Sequence, residues 1–129
     1  MPLALVVDDS MLIRHTICRF LEDRGFAVES ASNGRDALAI LDRTQPDLIV
    51  TDLQMPLMNG SELITVLKSR PETAATPVVI VAGRSSMLSH QEDRAQFTIF
   101  KDIDIAEQLT RAIDAVMKPP SAQQGASGA

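Results

Sequence analysis

The chain has 129 residues, 45% hydrophobic and 22% charged, with a net charge of −5 and one cysteine, Cys18. That length suits one domain with a sizeable core. The acidic balance argues against sequence-independent binding to DNA or RNA, which needs clustered Lys and Arg, and the lone cysteine excludes a disulfide framework and points to a reducing compartment. The apolar start Met1–Val7 is too short for a signal peptide and lacks its basic flank. No run approaches the ~18 apolar residues of a membrane span, so no membrane partner is expected and cytoplasm is the expected location.

In chain order, Leu3–Val7 is a continuous apolar run of the kind that suits a strand buried on both faces. Ile13, Ile17, Phe20 and Leu21 then follow a helical period, stopped by Gly25. Phe26–Ala31 reads as a weaker strand. After Asn33-Gly34, a second helical stripe runs through Ala37, Ile40 and Leu41, and Pro46 ends its connection. Leu48–Val50, continuing into Thr51, is the third strand. Leu63, Val66 and Leu67 make a third helix between Gly60-Ser61 and Pro71, and Val78–Ala82 is the fourth strand. Between Gly83 and Gln96 only Met87, Leu88 and Ala95 could face a core, so a fourth helix there should be short or irregular. Phe97–Phe100 is the last strand, followed by the cleanest stripe, Ile105, Leu109, Ala112, Ile113 and Val116. After Met117 the Pro-, Ser-, Gln- and Gly-rich stretch 118–129 reads as a disordered tail, leaving one domain over 1–117. The alternation predicts an α/β protein with a doubly wound, five-stranded parallel sheet and right-handed crossovers.

Parallel strands place their C-terminal ends on one edge, where open α/β sheets bind ligands. Asp8 and Asp9 follow the first strand, Asp52 the third and Lys101 the fifth. Three carboxylates brought together repel unless a cation shares the site, and an oxygen-seeking ion such as Mg²⁺ is the natural candidate. Each residue alone has a plainer explanation: Asp9 with Ser10 could cap the first helix, Asp52 could be a turn residue before Pro56, and Lys101 a solvated charge. Together at neighbouring strand ends they make a chemical site.

The set Asp8-Asp9-Ser10, Thr51-Asp52, Met55-Pro56-Leu57-Met58-Asn59-Gly60 and Lys101 resembles the receiver domain of two-component response regulators, from about Leu3 to Met117. The resemblance implies a flavodoxin-like fold and a phospho-accepting signalling module. Asp52 would take the phosphoryl group from a histidine kinase or phosphotransfer protein. Asp9 would bind Mg²⁺ directly and Asp8 mainly through water, the backbone carbonyl of Gln54 would add an oxygen, and Lys101 would pair with the phosphoryl group. It also implies a protein that assists its own phosphorylation and dephosphorylation without being an enzyme in the ordinary sense. The downstream protein partner is unknown, and the expected state is a monomer or weak dimer. The chemistry suits these residue types: a carboxylate is a competent nucleophile once charge is neutralised, and phosphoryl transfer depends mostly on positioning and electrostatics.

Two positions depart from the family pattern. The fourth strand usually ends in Ser or Thr, whose hydroxyl bonds the phosphoryl oxygen; here Ala82 stands there, followed by Gly83. Three residues before the lysine the family usually has Tyr or Phe; here it is Thr98. The interval from Ala82 to Lys101 is also shorter than usual by about one helical turn, and Asp102 replaces a common proline. His15 reads as a surface histidine, His90 as part of the irregular segment, Cys18 as a small core residue, and the methionines near Pro56 as loop packing. The leading expectation is thus a stand-alone, phosphorylatable module with an atypical switch. One alternative is a pseudo-receiver, a binding scaffold that is never phosphorylated. Another is a hydrolase forming an aspartyl-phosphate, which Gln54 disfavours because related enzymes carry an acid two residues after the nucleophile.

Overall fold

The apolar runs form a single parallel sheet in the computed structural model, which describes residues 2–83, 95–101 and 104–117. The strands are β1 (Leu3–Val7), β2 (Ala27–Ala31), β3 (Leu48–Asp52), β4 (Val78–Ala82) and β5 (Phe97–Phe100), in the spatial order β2-β1-β3-β4-β5. The described helices are α1 (Met11–Asp23), α2 (Gly34–Leu41), α3 (Gly60–Ser69) and α4 (Ile105–Val116). This is the flavodoxin-like order, with a topological switch point between β1 and β3. The short or irregular helix expected between Ala82 and Phe97 falls largely on residues 84–94, outside the described residues; so do His90, Asp102 and the tail expected at 118–129.

The sheet separates two cores. Leu5, Val7, Ile49, Val78, Ile80 and Ala82 face α2 and α3. Ala4, Val6, Leu48, Val50, Val79, Val81 and Ile99 face α1 and α4. β3 and β4 are buried along their whole length, which is why they read as unbroken apolar runs. Each helix starts on a side-chain cap that takes an otherwise unpaired backbone N–H. Ser10 Oγ accepts from Ile13 N at 3.3 Å and Asn33 Oδ1 from Asp36 N at 2.8 Å, while Asp104 Oδ1 accepts from Glu107 N at 3.2 Å. Asn59 and Glu62 form a reciprocal capping box at the start of α3. Gly25, with φ of 91°, turns the chain after α1 in a conformation that side chains rarely adopt.

Three expectations shift in detail. β3 runs on to Asp52, which pairs in register with Val81 and so ends the strand rather than following it. β2 starts at Ala27, with Phe26 buried just before it. In α3 the fully buried large side chains are Leu63, Ile64 and Leu67, with Val66 only half-buried, so the buried stripe is turned toward Ile64 from the expected one.

Candidate functional site

The ends of β1, β3 and β5 bring Asp8, Asp9, Asp52 and Lys101 together. One carboxylate oxygen from each of Asp8, Asp9 and Asp52 lies within 4.8 Å of the others. Lys101 Nζ lies 2.8 Å from Asp52 Oδ2 and 3.4 Å from Asp8 Oδ2. Asp8 and Asp52 are 1% and 4% exposed, whereas Asp9 is open to solvent. Asp8 is held by local bonds: Ser10 N donates to Asp8 Oδ1 at 2.8 Å, and Arg14 Nη1 donates to the Asp8 backbone oxygen at 2.8 Å. The α1 cap is therefore Ser10, and Asp9 is left free of capping duty. After β3, Gln54 N donates to Asp52 Oδ1 at 3.4 Å, and Gly60 N donates to Leu53 O at 2.9 Å. A Cβ at Gly60 would overlap the Asp52 backbone oxygen, so only glycine lets α3 start this close to the site. Leu57 adopts a φ of 70° in the same loop with its side chain exposed, a conformation unfavourable for Leu.

Burial sets the electrostatics. It pushes the Asp52 carboxyl up to about 6; the hydrogen bond from Lys101 opposes the shift and the Asp8 charge adds to it. Burial likewise raises Asp8, against the hydrogen bond from Ser10 and the charge of Lys101. For Lys101 burial acts downward, but its hydrogen bond and charge contact with Asp52, with Asp8 adding, leave it raised and charged. With three carboxylates ionised beside one ammonium, the formal charge of the cluster is −2, a balance suited to a divalent cation. The sharpest sign of fit is Asp8 Oδ2. It is buried and accepts no hydrogen bond, since Lys101 sits near it without donor geometry. The Lys101 ammonium compensates its charge, but its free lone pairs suit a metal ion or a water bound to one.

The two switch positions lie one strand over. Ala82 is fully buried at the end of β4, and Thr98 is half-buried on β5 opposite Ile80. Neither carries the family's usual hydroxyl-and-aromatic pair. Met55 and Met58 pack against the α2–α3 core, as expected, and His15 is exposed. Arg14 gave no signal in the sequence beyond a surface-type arginine, Gly60 was legible as part of the motif after Asp52 but not for the close approach it allows, and Leu57 is not a residue that marks a left-handed turn.

Comparison with known proteins agrees with this geometry. The family model of the response regulator receiver domain matches residues 4–118. This chain belongs to the response regulator receiver domain family. Its relatives include Protein PilH of Pseudomonas aeruginosa, 32% identical over 88% of this chain and 95% of that protein. The chemotaxis response regulator CheY4 of Vibrio cholerae is 31% identical, superposes with a TM-score of 0.81, and the match covers 90% of this chain and 98% of that one. The gliding motility regulatory protein of Myxococcus xanthus is 39% identical over 85% of this chain, which spans only 14% of that much longer relative. Receiver domains are phospho-accepting signalling modules of two-component systems that work with histidine kinases or phosphotransfer proteins and downstream effectors. They bind Mg²⁺ in an acidic pocket, and this chain has the acidic cluster.

Proposed function

We propose that Asp52 accepts a phosphoryl group from the phosphohistidine of a kinase or phosphotransfer protein. The observation that carries this is Lys101 Nζ held 2.8 Å from a buried Asp52 within the cluster that also contains Asp8 and Asp9. An Asp52 carboxylate oxygen forms the new bond to phosphorus as the phosphorus–nitrogen bond of the donor breaks, and the departing imidazole takes a proton. Asp9 would hold Mg²⁺ directly and Asp8 mainly through water, with Asp52 and the Gln54 backbone carbonyl as the other protein ligands. When bound, the ion would supply neutralisation of charge on the transferring phosphoryl oxygens. Lys101, already charged and aimed at Asp52, passes to the incoming phosphoryl oxygen and keeps the site compensated. The same groups assist hydrolysis of the aspartyl-phosphate, so the module helps set the lifetime of its own signal.

Acetyl phosphate with Mg²⁺, followed by intact mass and peptide mapping, tests this. One phosphoryl mass on Asp52, absent in EDTA, is the expected result; an adduct that survives Asp52→Ala or forms equally in EDTA refutes the assignment. Buried Ala82 and the small Thr98 favour a second reading, a scaffold that binds its partner in one state only. That reading predicts no uptake from any donor. The hydrolase reading is weaker, since Gln54, two residues after Asp52, offers no acid. No helix among the described residues is long and apolar enough to cross a membrane. A cytoplasmic module, monomeric or weakly dimeric, fits this reading.

A further inference from the structure

β5 is an edge strand of four residues, and the lysine of the site directly follows its last residue, Phe100. Lys101 N donates inward to Ala82 O at 3.0 Å. By strand alternation the N–H and C=O of Phe100 therefore point away from the sheet, where no strand meets them among the described residues. One side chain takes both. Gln108 Oε1 accepts from Phe100 N at 2.9 Å, and Gln108 Nε2 donates to Phe100 O at 2.8 Å. The same Nε2 donates to Asp104 O at 3.3 Å, so the carboxamide ties together both ends of the connection that starts at Lys101. A carboxamide offers a donor and an acceptor on one planar group, which this pairing requires. Gln108 itself stands on a firm base: it lies near the start of α4, next to Leu109, and both Leu109 and Ala112 are fully buried.

We propose that Gln108 is a positioning residue for Lys101, fixing the backbone from which the ammonium reaches Asp52; this rests on Asp52 and Lys101 being the phosphoryl site. Lysine is a point charge on a flexible stem, so where its ammonium rests depends on where its backbone starts. A four-residue edge strand frays readily at its last residue. Ala82 supplies no hydroxyl at the end of β4, so the phosphoryl group depends more heavily on Lys101 than in a receiver with Ser or Thr there. The clamp holds the end of β5 where the chemistry needs it, and α4 serves as its anchor.

Gln108→Met keeps the volume of the side chain and removes both bonds. In the full-length chain with Mg²⁺, its maximal rate of phosphoryl uptake from acetyl phosphate is expected to fall about three- to tenfold, since misplacing a reacting group by about 1 Å can cost up to about 10²-fold. The half-saturating donor concentration should stay unchanged, because the loss falls on the transition state. Hydrogen exchange supplies the control. The Phe100 amide should exchange faster while those of Ile99 and Val81 remain protected, a combination that general loosening of the fold does not give. Gln108→Glu keeps the acceptor for Phe100 N but sets a second oxygen against Phe100 O; it should fall between wild type and Gln108→Met, and it carries the test if Gln108→Met does not fold. A freed Phe100 amide with an unchanged maximal rate overturns the proposal and leaves the function of the site intact. A Phe100 amide that stays protected in Gln108→Met also overturns it, because the clamp then does not exist. A wild-type chain that takes up no phosphoryl group on Asp52 overturns the function itself, and the positioning role with it.

Discussion

β3 and β4 lie side by side, five residues each, buried along their whole length, and they end in opposite ways. β3 ends in Asp52, a carboxylate kept 4% exposed beside a second carboxylate and a lysine. β4 ends in Ala82, a methyl group with nothing to donate or accept. Keeping Asp52 ionised in that position is costly, as its raised protonation range records, and a carboxylate with no chemical use is readily replaced by an apolar residue that fits. On the proposed function the contrast separates two tasks of a receiver domain: β3 would carry the means to take a phosphoryl group, while β4 and Thr98 lack the usual means to report it.

The largest expected effect tests the β3 half. Asp52→Asn should abolish phosphoryl uptake from acetyl phosphate, and Lys101→Met, which leaves Asp52 in place, should slow it by about 10²-fold, the scale of losing one preorganised donor to a developing charge. Equal rates in Lys101→Met and wild type would mean that β5 contributes no chemistry. The cost of holding Asp52 predicts a pH dependence. Its protonation range when folded lies near 6, above the roughly 3.9 of an unfolded aspartate. The neutral carboxyl thus favours the fold below about pH 4, and that contribution is lost as pH rises through about 6; Asp8, also raised, adds in the same direction. Without metal, Asp52→Asn should melt higher than wild type at pH 8, by the equivalent of about 2–3 kcal/mol, and match it near pH 4. Mg²⁺, binding only the folded carboxylates, should close most of the gap at pH 8. Asp9→Asn should also melt higher without metal, and it should lose that Mg²⁺ response. A gap that does not change with pH would show that the aspartates are not strained as described.

A smaller effect is expected where β3 meets α3. Gly60→Ala sets a Cβ against the Asp52 backbone oxygen and 2.9 Å from Leu53 Cα, so the loop must shift. A loss of about 1–3 kcal/mol is expected by denaturant titration, with slower uptake at Asp52 because the same carbonyl region moves. Unchanged stability would show that the α3 start is loosely held.

The sequence made β3 and β4 plain because strands buried on both faces leave unbroken apolar runs, and the helices plain because each buries one stripe. Asp8, Asp9, Asp52 and Lys101 were legible as a set because parallel strands send their ends to one edge. What stayed hidden depends on backbone geometry rather than on residue type. Gln108 in the first turns of a helix reads as a solvated residue, and only the unpaired edge at Phe100 gives it a task. Arg14 reaches the Asp8 carbonyl because helical side chains lean back over the preceding turn. Ile64 rather than Val66 is buried because Leu63, Ile64 and Leu67 also share one helical face, and periodicity alone does not choose between that stripe and the one through Val66.

The smallest effect concerns the end of β4, and it tests the contrast most directly. Phosphorylated Asp52 has no hydroxyl to meet at Ala82, so it lacks a charge-assisted hydrogen bond worth roughly 1.5–3 kcal/mol when made. Thr98 is too small to fill or vacate an aromatic pocket, and Gln108 holds the end of β5 to α4. Beryllofluoride with Mg²⁺, as a mimic of the phosphoryl group, should therefore shift backbone amides near Asp8–Ser10, Asp52–Gly60 and Gly83, and leave Ile105–Val116 nearly unmoved. Ala82→Thr restores the hydroxyl at the end of β4. In that variant the shifts should extend into Gly83 and the β4–β5 pairing but still stop short of α4, since Thr98 is unchanged. Large shifts across Phe97–Phe100 and α4 in the wild-type chain would refute the division of tasks between β3 and β4, because the signal would then cross the sheet without either of the side chains that usually carry it.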